Sequence, residues 1–504
     1  TMIPSEMEED TIFRIENELA EKIEQELDFE TSMSLRENYL IRVPFEAPLI
    51  SLGNFQEICA MLKGKNISGI MAQIVTGIFE KTEQKEEANQ FSDSEIREFL
   101  IRINEIAKKE ITAEGNASSN MLSTTSIREI VKDYKETIPQ IVILGAKGSG
   151  KTYIYKQMVI NKTWEDFIRG IDQSIKENLT KTLFLPLISS VNIQYIHDPI
   201  RDCIINVNRK LEDIDIDCNA VNLNYNKIMN YSERGMQRTE WANAWRKLLI
   251  DMLGGKFSDL SEIDSYLEKR KMKIVFLVDG LEDLFMDAQM QKQEDWKNAI
   301  RALCQTLVND LRNLEFGNVG IIVFARRDMI EEAIAINFEQ FQNQYSRYEL
   351  RWTPTEALRL VLWIAVQAEP DLGKDIDILK ASREALEERL ERLWGIKLGK
   401  RDSREAYTAR WIIAALSDFT GQLQARDIVR FLKFASDNLP NGKVTYPDRY
   451  LMPLEIRNAI PECSYGKFQE IKAEMKVIYQ ILKKLEDMDE GDKQLPLTLD
   501  KIQL

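Results

Sequence analysis

Between strand-like and helix-like stretches the chain reads Gly145-Ala146-Lys147-Gly148-Ser149-Gly150-Lys151-Thr152, two glycines five apart followed by a lysine and a hydroxyl residue. Glycines at that spacing let a backbone wrap an anion, with N–H groups and a helix N-terminus turned towards it. The ammonium of Lys151 then suits the outer phosphates of a nucleotide, and the Thr152 hydroxyl suits a magnesium position. Tyr153 opens the helix that follows. A second chemical group lies at Asp279-Gly-Leu-Glu282-Asp283, directly after an apolar run. A carboxylate at Asp279 is placed to hold magnesium, commonly through water. Glu282 or Asp283 would orient and polarise an attacking water; Glu282 is the preferred choice, although spacing alone does not decide between them. A third group, Arg326-Arg327-Asp328, ends another apolar run. A guanidinium there would neutralise charge developing on a γ-phosphate; the bland alternative is a pair of surface arginines. Arg426, near the start of a later helical segment that also carries Arg430, is a further candidate to face the nucleotide. ATP and magnesium are the expected cofactors, and hydrolysis of the triphosphate the expected reaction.

These groups need a scaffold that brings distant segments together. Ile141–Leu144, Leu183–Ile188, Ile274–Val278 and Val319–Phe324 are wholly apolar, as strands buried on both faces must be. Helical patterns separate them, so the expected class is α/β: a parallel sheet flanked by helices, of the kind used by P-loop nucleoside-triphosphatases. After Arg351 the strand signals stop. Helices are expected over Glu356–Val366, Asp375–Trp394, Ala406–Phe419, Ala425–Ser436 and Tyr465–Met488. The division expected is a mostly helical N-terminal region (1–111), a Thr-, Ala-, Gly-, Asn- and Ser-rich linker (112–126) and an α/β domain (127–350). A helical lid (351–440) and a C-terminal helical region (441–504) follow. Lys151 and Asp279 stand far apart, which predicts an insertion at about 195–260, partly Asn-rich.

Composition narrows the rest. With 504 residues, 44% hydrophobic and 30% charged, the chain is long enough for about three globular domains. No apolar run approaches the ~20 residues of a membrane span, and the N-terminus is acidic, not signal-like, so a cytoplasmic protein is expected. The five cysteines show no CxxC spacing and suit reduced thiols. With His197 as the single histidine, multi-histidine metal chemistry is excluded, and an ordinary structural role is expected for it. The net charge is −15, and the first 30 residues hold eleven acids against two bases. There, Ser5 and Glu8 resemble a capping box ahead of a stripe of Ile12, Ile15, Leu19, Ile23 and Leu27. Such an arm is read as a solvated helix face, with a basic partner surface as the alternative. Nucleic acid is not attracted by this overall field.

Asp279-Gly-Leu-Glu-Asp283 resembles the DGxDE form of the second Walker motif in the STAND branch of AAA-like ATPases. Phe324-Ala-Arg-Arg-Asp328 is similar to their arginine-bearing strand end. Leu350–Leu358 and Ala425–Leu432 look like lid segments of bacterial members, and Ala459–Glu474 is similar to a helix leading towards a winged-helix unit. Over residues 127–490 this resemblance implies an ATPase that acts as a nucleotide-controlled, oligomerising switch with a protein partner or effector. Many bacterial relatives act in anti-phage defence, so defence or stress signalling is the expectation. A DNA-loading or DNA-remodelling ATPase and a non-catalytic nucleotide-binding scaffold are the alternatives. Thr1-Met2 is not a natural start, and Leu495–Leu504 reads like the beginning of a winged helix cut short. The tail is either vestigial or continued elsewhere, and both ends suggest that an effector part lies outside the chain.

Overall fold

Runs of Val, Ile, Leu and Phe, broken only by Pro186 and Gly320, leave a strand no face to turn to water, so each of the four apolar runs ends between layers. The computed structural model describes residues 91–111, 121–172, 181–190, 197–290, 294–401, 403–418, 421–437, 445–474 and 476–488. In it the runs are β1 (Gln140–Gly145), β2 (Thr182–Ile188), β3 (Lys273–Val278) and β4 (Val319–Arg326). They form one parallel sheet in the order β1-β4-β3-β2. Pro186 falls in β2, an edge strand, where its missing N–H is tolerated; the register slips just after it. On the free side of β1, Leu350 adds a single parallel bridge to Gly145, its N–H donating to the Leu144 carbonyl at 2.7 Å.

Ahead of the sheet lie helices α1 (Asp93–Ile111) and α2 (Thr125–Asp133). Between β1 and β2 run α3 (Lys151–Asn161) and α4 (Trp164–Ile171). Between β2 and β3 come α5 (His197–Lys210), α6 (Ala220–Ser232), α7 (Arg238–Met252) and α8 (Leu260–Arg270). The stretch expected to be an insertion is thus mainly α5 to α7, and it shares the core of the sheet. Cys203, Ile204, Trp241 and Trp245 are fully buried there, and the Cys203 thiol donates to the Phe184 carbonyl on β2. Helix α9 (Leu281–Met290) follows β3; α10 (Asp295–Arg301) continues through a π-helical turn, Ala302–Leu307, into α11 (Val308–Arg312). After β4 come α12 (Arg327–Ala333) and α13 (Phe338–Tyr345).

The remainder is helical: α14 (Pro354–Ala368), α15 (Arg383–Trp394), α16 (Thr408–Leu416), α17 (Ala425–Asp437), α18 (Pro453–Glu474) and α19 (Lys476–Asp487). Two boundaries differ from the periodicity. The helix expected from Asp375 begins only after Ser382, whose hydroxyl accepts from the Ala385 N–H, because Asp375 takes a left-handed φ of 61° that a helix cannot hold. The helical pattern expected from Tyr465 begins twelve residues earlier, at Pro453, and runs through Pro461; helix is described to Glu474 and again over Lys476–Asp487.

Helix α1 has no place in the sheet's core. Its stripe of Ile96, Phe99, Leu100, Ile103 and Ala107 joins α14, α15, α17 and α18 in a second core. Phe91 and Phe99 stack on Tyr450 with centroids 4.1 and 4.0 Å apart, and the Asn104 amide donates to the Lys433 carbonyl at 2.9 Å. Helices α1 and α2, on either side of 112–120, therefore belong to different cores, with Leu122 still in that of α1. No helix among the described residues is long and apolar enough to cross a membrane. The acidic stripe of residues 1–30, most of the expected linker, and the closing Leu495–Leu504 lie outside the described residues.

Candidate functional site

All four strands are parallel, so their carboxyl ends meet at one edge, where open α/β sheets gather ligand-binding loops. Beyond β1 the glycine loop turns at Gly150, which caps α3 with a φ of 102°, a left-handed conformation that a side chain would resist. Lys151, the first helical residue, is buried. Its ammonium donates to the carbonyls of Gly145 and Ala146 at 3.1 and 3.0 Å. Burial draws its pKa down, against the pull of Glu282 and Asp279.

Asp279, one residue past β3, is wholly buried, and neither carboxylate oxygen has a hydrogen-bond partner. Burial, with Glu282 beside it, pushes the carboxyl up to about 7, although the Thr152 hydroxyl, beyond ordinary hydrogen-bond length yet near enough to favour the charge, and Lys151 act the other way. The chain then turns at Gly280 with a φ of 85°, pressed on the loop beyond β2: a Cβ there would stand 2.5 Å from Ser190 Cα. That close approach lets the Ser190 hydroxyl donate to Asp283 Oδ2 at 2.8 Å. Of the two candidate acids Asp283 is therefore engaged, whereas Glu282 keeps a buried Oε2 without a partner. The two arginines are separated as well. Arg326 faces the cavity and pairs with Asp328 through Nε and Nη2 at 3.1 and 2.6 Å; Arg327 turns away to Glu349 at 2.8 Å.

The helical layer closes over the loop. The Arg426 backbone N–H donates to the Gly148 carbonyl at 3.2 Å, and the Trp352 indole donates to the Ser149 carbonyl at 2.9 Å. The Arg426 guanidinium itself reaches Glu470 of α18 at 3.3 Å, beside Arg430, which holds the same carboxylate at 2.5 Å. Between the layers lies a cavity of ≈ 250 Å³. Lys147 to Tyr153, Ser190, Glu282, Asp283, Arg326 and Arg426 line it. Gly145, Ala146 and Arg327 do not, and Asp279 lies beneath the lining, close enough to Lys151, Thr152 and Glu282 for their charges and dipoles to set its pKa.

Two orphaned carboxylate oxygens in a dry interior cost several kcal/mol unless something pairs with them. A hard cation held by Asp279 and Thr152 and completed by phosphate oxygens fits that demand, since magnesium takes few protein ligands. No cluster of three His, Cys, Asp or Glu side chains able to hold a metal alone occurs among the described residues. The motifs did not point to Ser190, Trp352, Glu110 or Glu470. Ser190 had a usable signal, the position just past a buried strand; the others follow no local pattern.

No family model, curated protein or solved structure matches this chain. The reading of the site stands on its own geometry.

Proposed function

We propose that the chain is a P-loop ATPase whose helical layer responds to the bound nucleotide, and that this response controls self-assembly. The observation that carries the reading is Asp279, buried and unpartnered, beside a lysine-bearing glycine loop that caps a helix. Lys151 would exchange its loop carbonyls for phosphate oxygens. Thr152 and Asp279 would hold magnesium, which when bound neutralises phosphate charge. Glu282, with its open oxygen, orients the water that attacks the γ-phosphorus and accepts its proton as the bond to ADP breaks. Arg326 at the end of β4 offsets charge on the γ-phosphate once Asp328 yields it. Because Trp352 and Arg426 grip the same loop, a phosphate entering it acts directly on the helical layer.

The test is ATP turnover and native mass, with and without ATP–magnesium, for wild type, Lys151→Ala and Glu282→Gln. The expectation is that Lys151→Ala loses binding. Glu282→Gln should bind, hydrolyse at least ~100-fold more slowly and accumulate as an ATP-dependent oligomer. Hydrolysis by Glu282→Gln at the wild-type rate would remove Glu282 from its role, and a mass that never changes would remove the assembly step.

A further inference from the structure

The cavity is lined by two chemically different sets of residues. One is the glycine loop, with its N–H groups and Lys151; the other is apolar, Leu122, Ile127, Leu360, Trp363, Ile364 and Val429. Aromatic and aliphatic walls in the same cavity as a glycine loop complement a nucleobase, which is apolar on its faces and polar only at its edge. Two further polar groups share the lining. Thr124, just before α2, has a buried hydroxyl with no hydrogen-bond partner. Glu110, in the last turn of α1, is half-buried and stands near enough to Tyr153 and Lys156 of α3 to influence and be influenced by their charge. Burial leaves its carboxyl above the usual range, with the charge of Lys156 opposing the rise in part.

We propose that Glu110 is the base-reading group of the cavity, accepting a hydrogen bond from the N6 amine of adenine. An ionised carboxylate only accepts, and a hydroxyl can donate. Glu110 and Thr124 thus match, one for one, the amine and the N1 acceptor of adenine's edge. Guanine would bring a 6-oxo group and two donors, needing a third partner. The assignment rests on the proposed nucleotide site and deepens it: α1, which precedes the glycine loop and packs in the other core, becomes part of the specificity of that site.

The experiment is a displacement titration of wild type, Glu110→Ala and Glu110→Gln with ATP, purine riboside triphosphate (adenine without its amine), 2′-deoxy-ATP and GTP. Wild type is expected to favour ATP over purine riboside triphosphate by roughly 10- to 100-fold. Glu110→Ala should bring the two within about threefold, and Glu110→Gln, whose amide oxygen still accepts, should keep most of the preference. The proposal is overturned if Glu110→Ala keeps the wild-type ratio. It is equally overturned if only discrimination against 2′-deoxy-ATP changes, which would place the carboxylate on the ribose, or if wild type prefers GTP. Binding with an unchanged ratio sinks this assignment alone; a wild type that binds no triphosphate sinks the nucleotide site itself.

Discussion

Asp279 holds a carboxyl in the interior with no partner for either oxygen, and that arrangement has a measurable cost. Its pKa rises from an ordinary 3.8 to about 7, chiefly through burial. A carboxyl raised in the folded state adds no penalty below the unfolded value, and stability is lost as pH climbs through the folded value. Without nucleotide, Asp279→Asn is therefore expected to be more stable than wild type at pH 8, by on the order of 2–4 kcal/mol. The gap should close towards pH 4, and thermal melts across that range measure it. With ATP and magnesium the order should reverse, because the amide is a poor magnesium ligand. Equal melting at pH 8 would show that Asp279 is paired in solution. Asp283 makes the contrast: the Ser190 hydroxyl donates to it at 2.8 Å and ties together the loops beyond β2 and β3.

Among the elements, the contact that sets the geometry is backbone against backbone. Gly280 and Ser190 follow different strands, and the space for a Cβ between them is already filled by Ser190 N and Cα at 2.7 and 2.5 Å. Gly280→Ala adds both this clash and a left-handed φ, so a loss of about 2–4 kcal/mol is expected in denaturant unfolding. A loss under about 0.5 kcal/mol would mean that the two loops do not touch as described. Trp352 does the complementary work from the other layer, donating to Ser149 while Leu350 bridges β1. The glycine loop is thus held from the sheet side by Lys151 and from the helical side by an indole and a backbone N–H.

At the scale of the molecule, two cores meet over one cavity, and a charged cluster fastens the second. Glu470 on α18 accepts from Arg426 and Arg430 of α17, while Asp427 takes Arg430 and Lys467. Burial raises the Glu470 carboxyl, but Arg430, Arg426 and Lys147 outweigh it and leave the pKa below the usual range. This contribution is therefore complete near neutral pH and is lost on acidification through that lowered value. Removing one member of a largely buried pair strands the rest, so Glu470→Gln should cost on the order of 1–3 kcal/mol at pH 7. Unfolding midpoints at pH 7 and pH 4 test this; an equal effect at both would contradict the charge argument.

The chain by itself determined the four strands, because an apolar run has only one place to go, and the turn of the glycine loop, because Gly148 and Gly150 take the left-handed φ that glycine alone adopts freely. It determined that Asp279, Glu282, Asp283, Arg326 and Arg327 fall just beyond strand ends. It did not distinguish within each pair. Glu282 from Asp283, and Arg326 from Arg327, are separated by partners remote in sequence: Ser190 for one acid and Glu349 for one arginine. The early start at Pro453 and the late start after Ser382 were hidden because apolar spacing reports a face and not where the backbone turns. The home of α1 was hidden for a related reason. Its stripe states that it must be buried, and only the tertiary structure, with α14, α15, α17 and α18 in place, decides against which surface. That choice also carries Glu110 into the cavity, since long-range packing, and not local spacing, determines which side chains share a space.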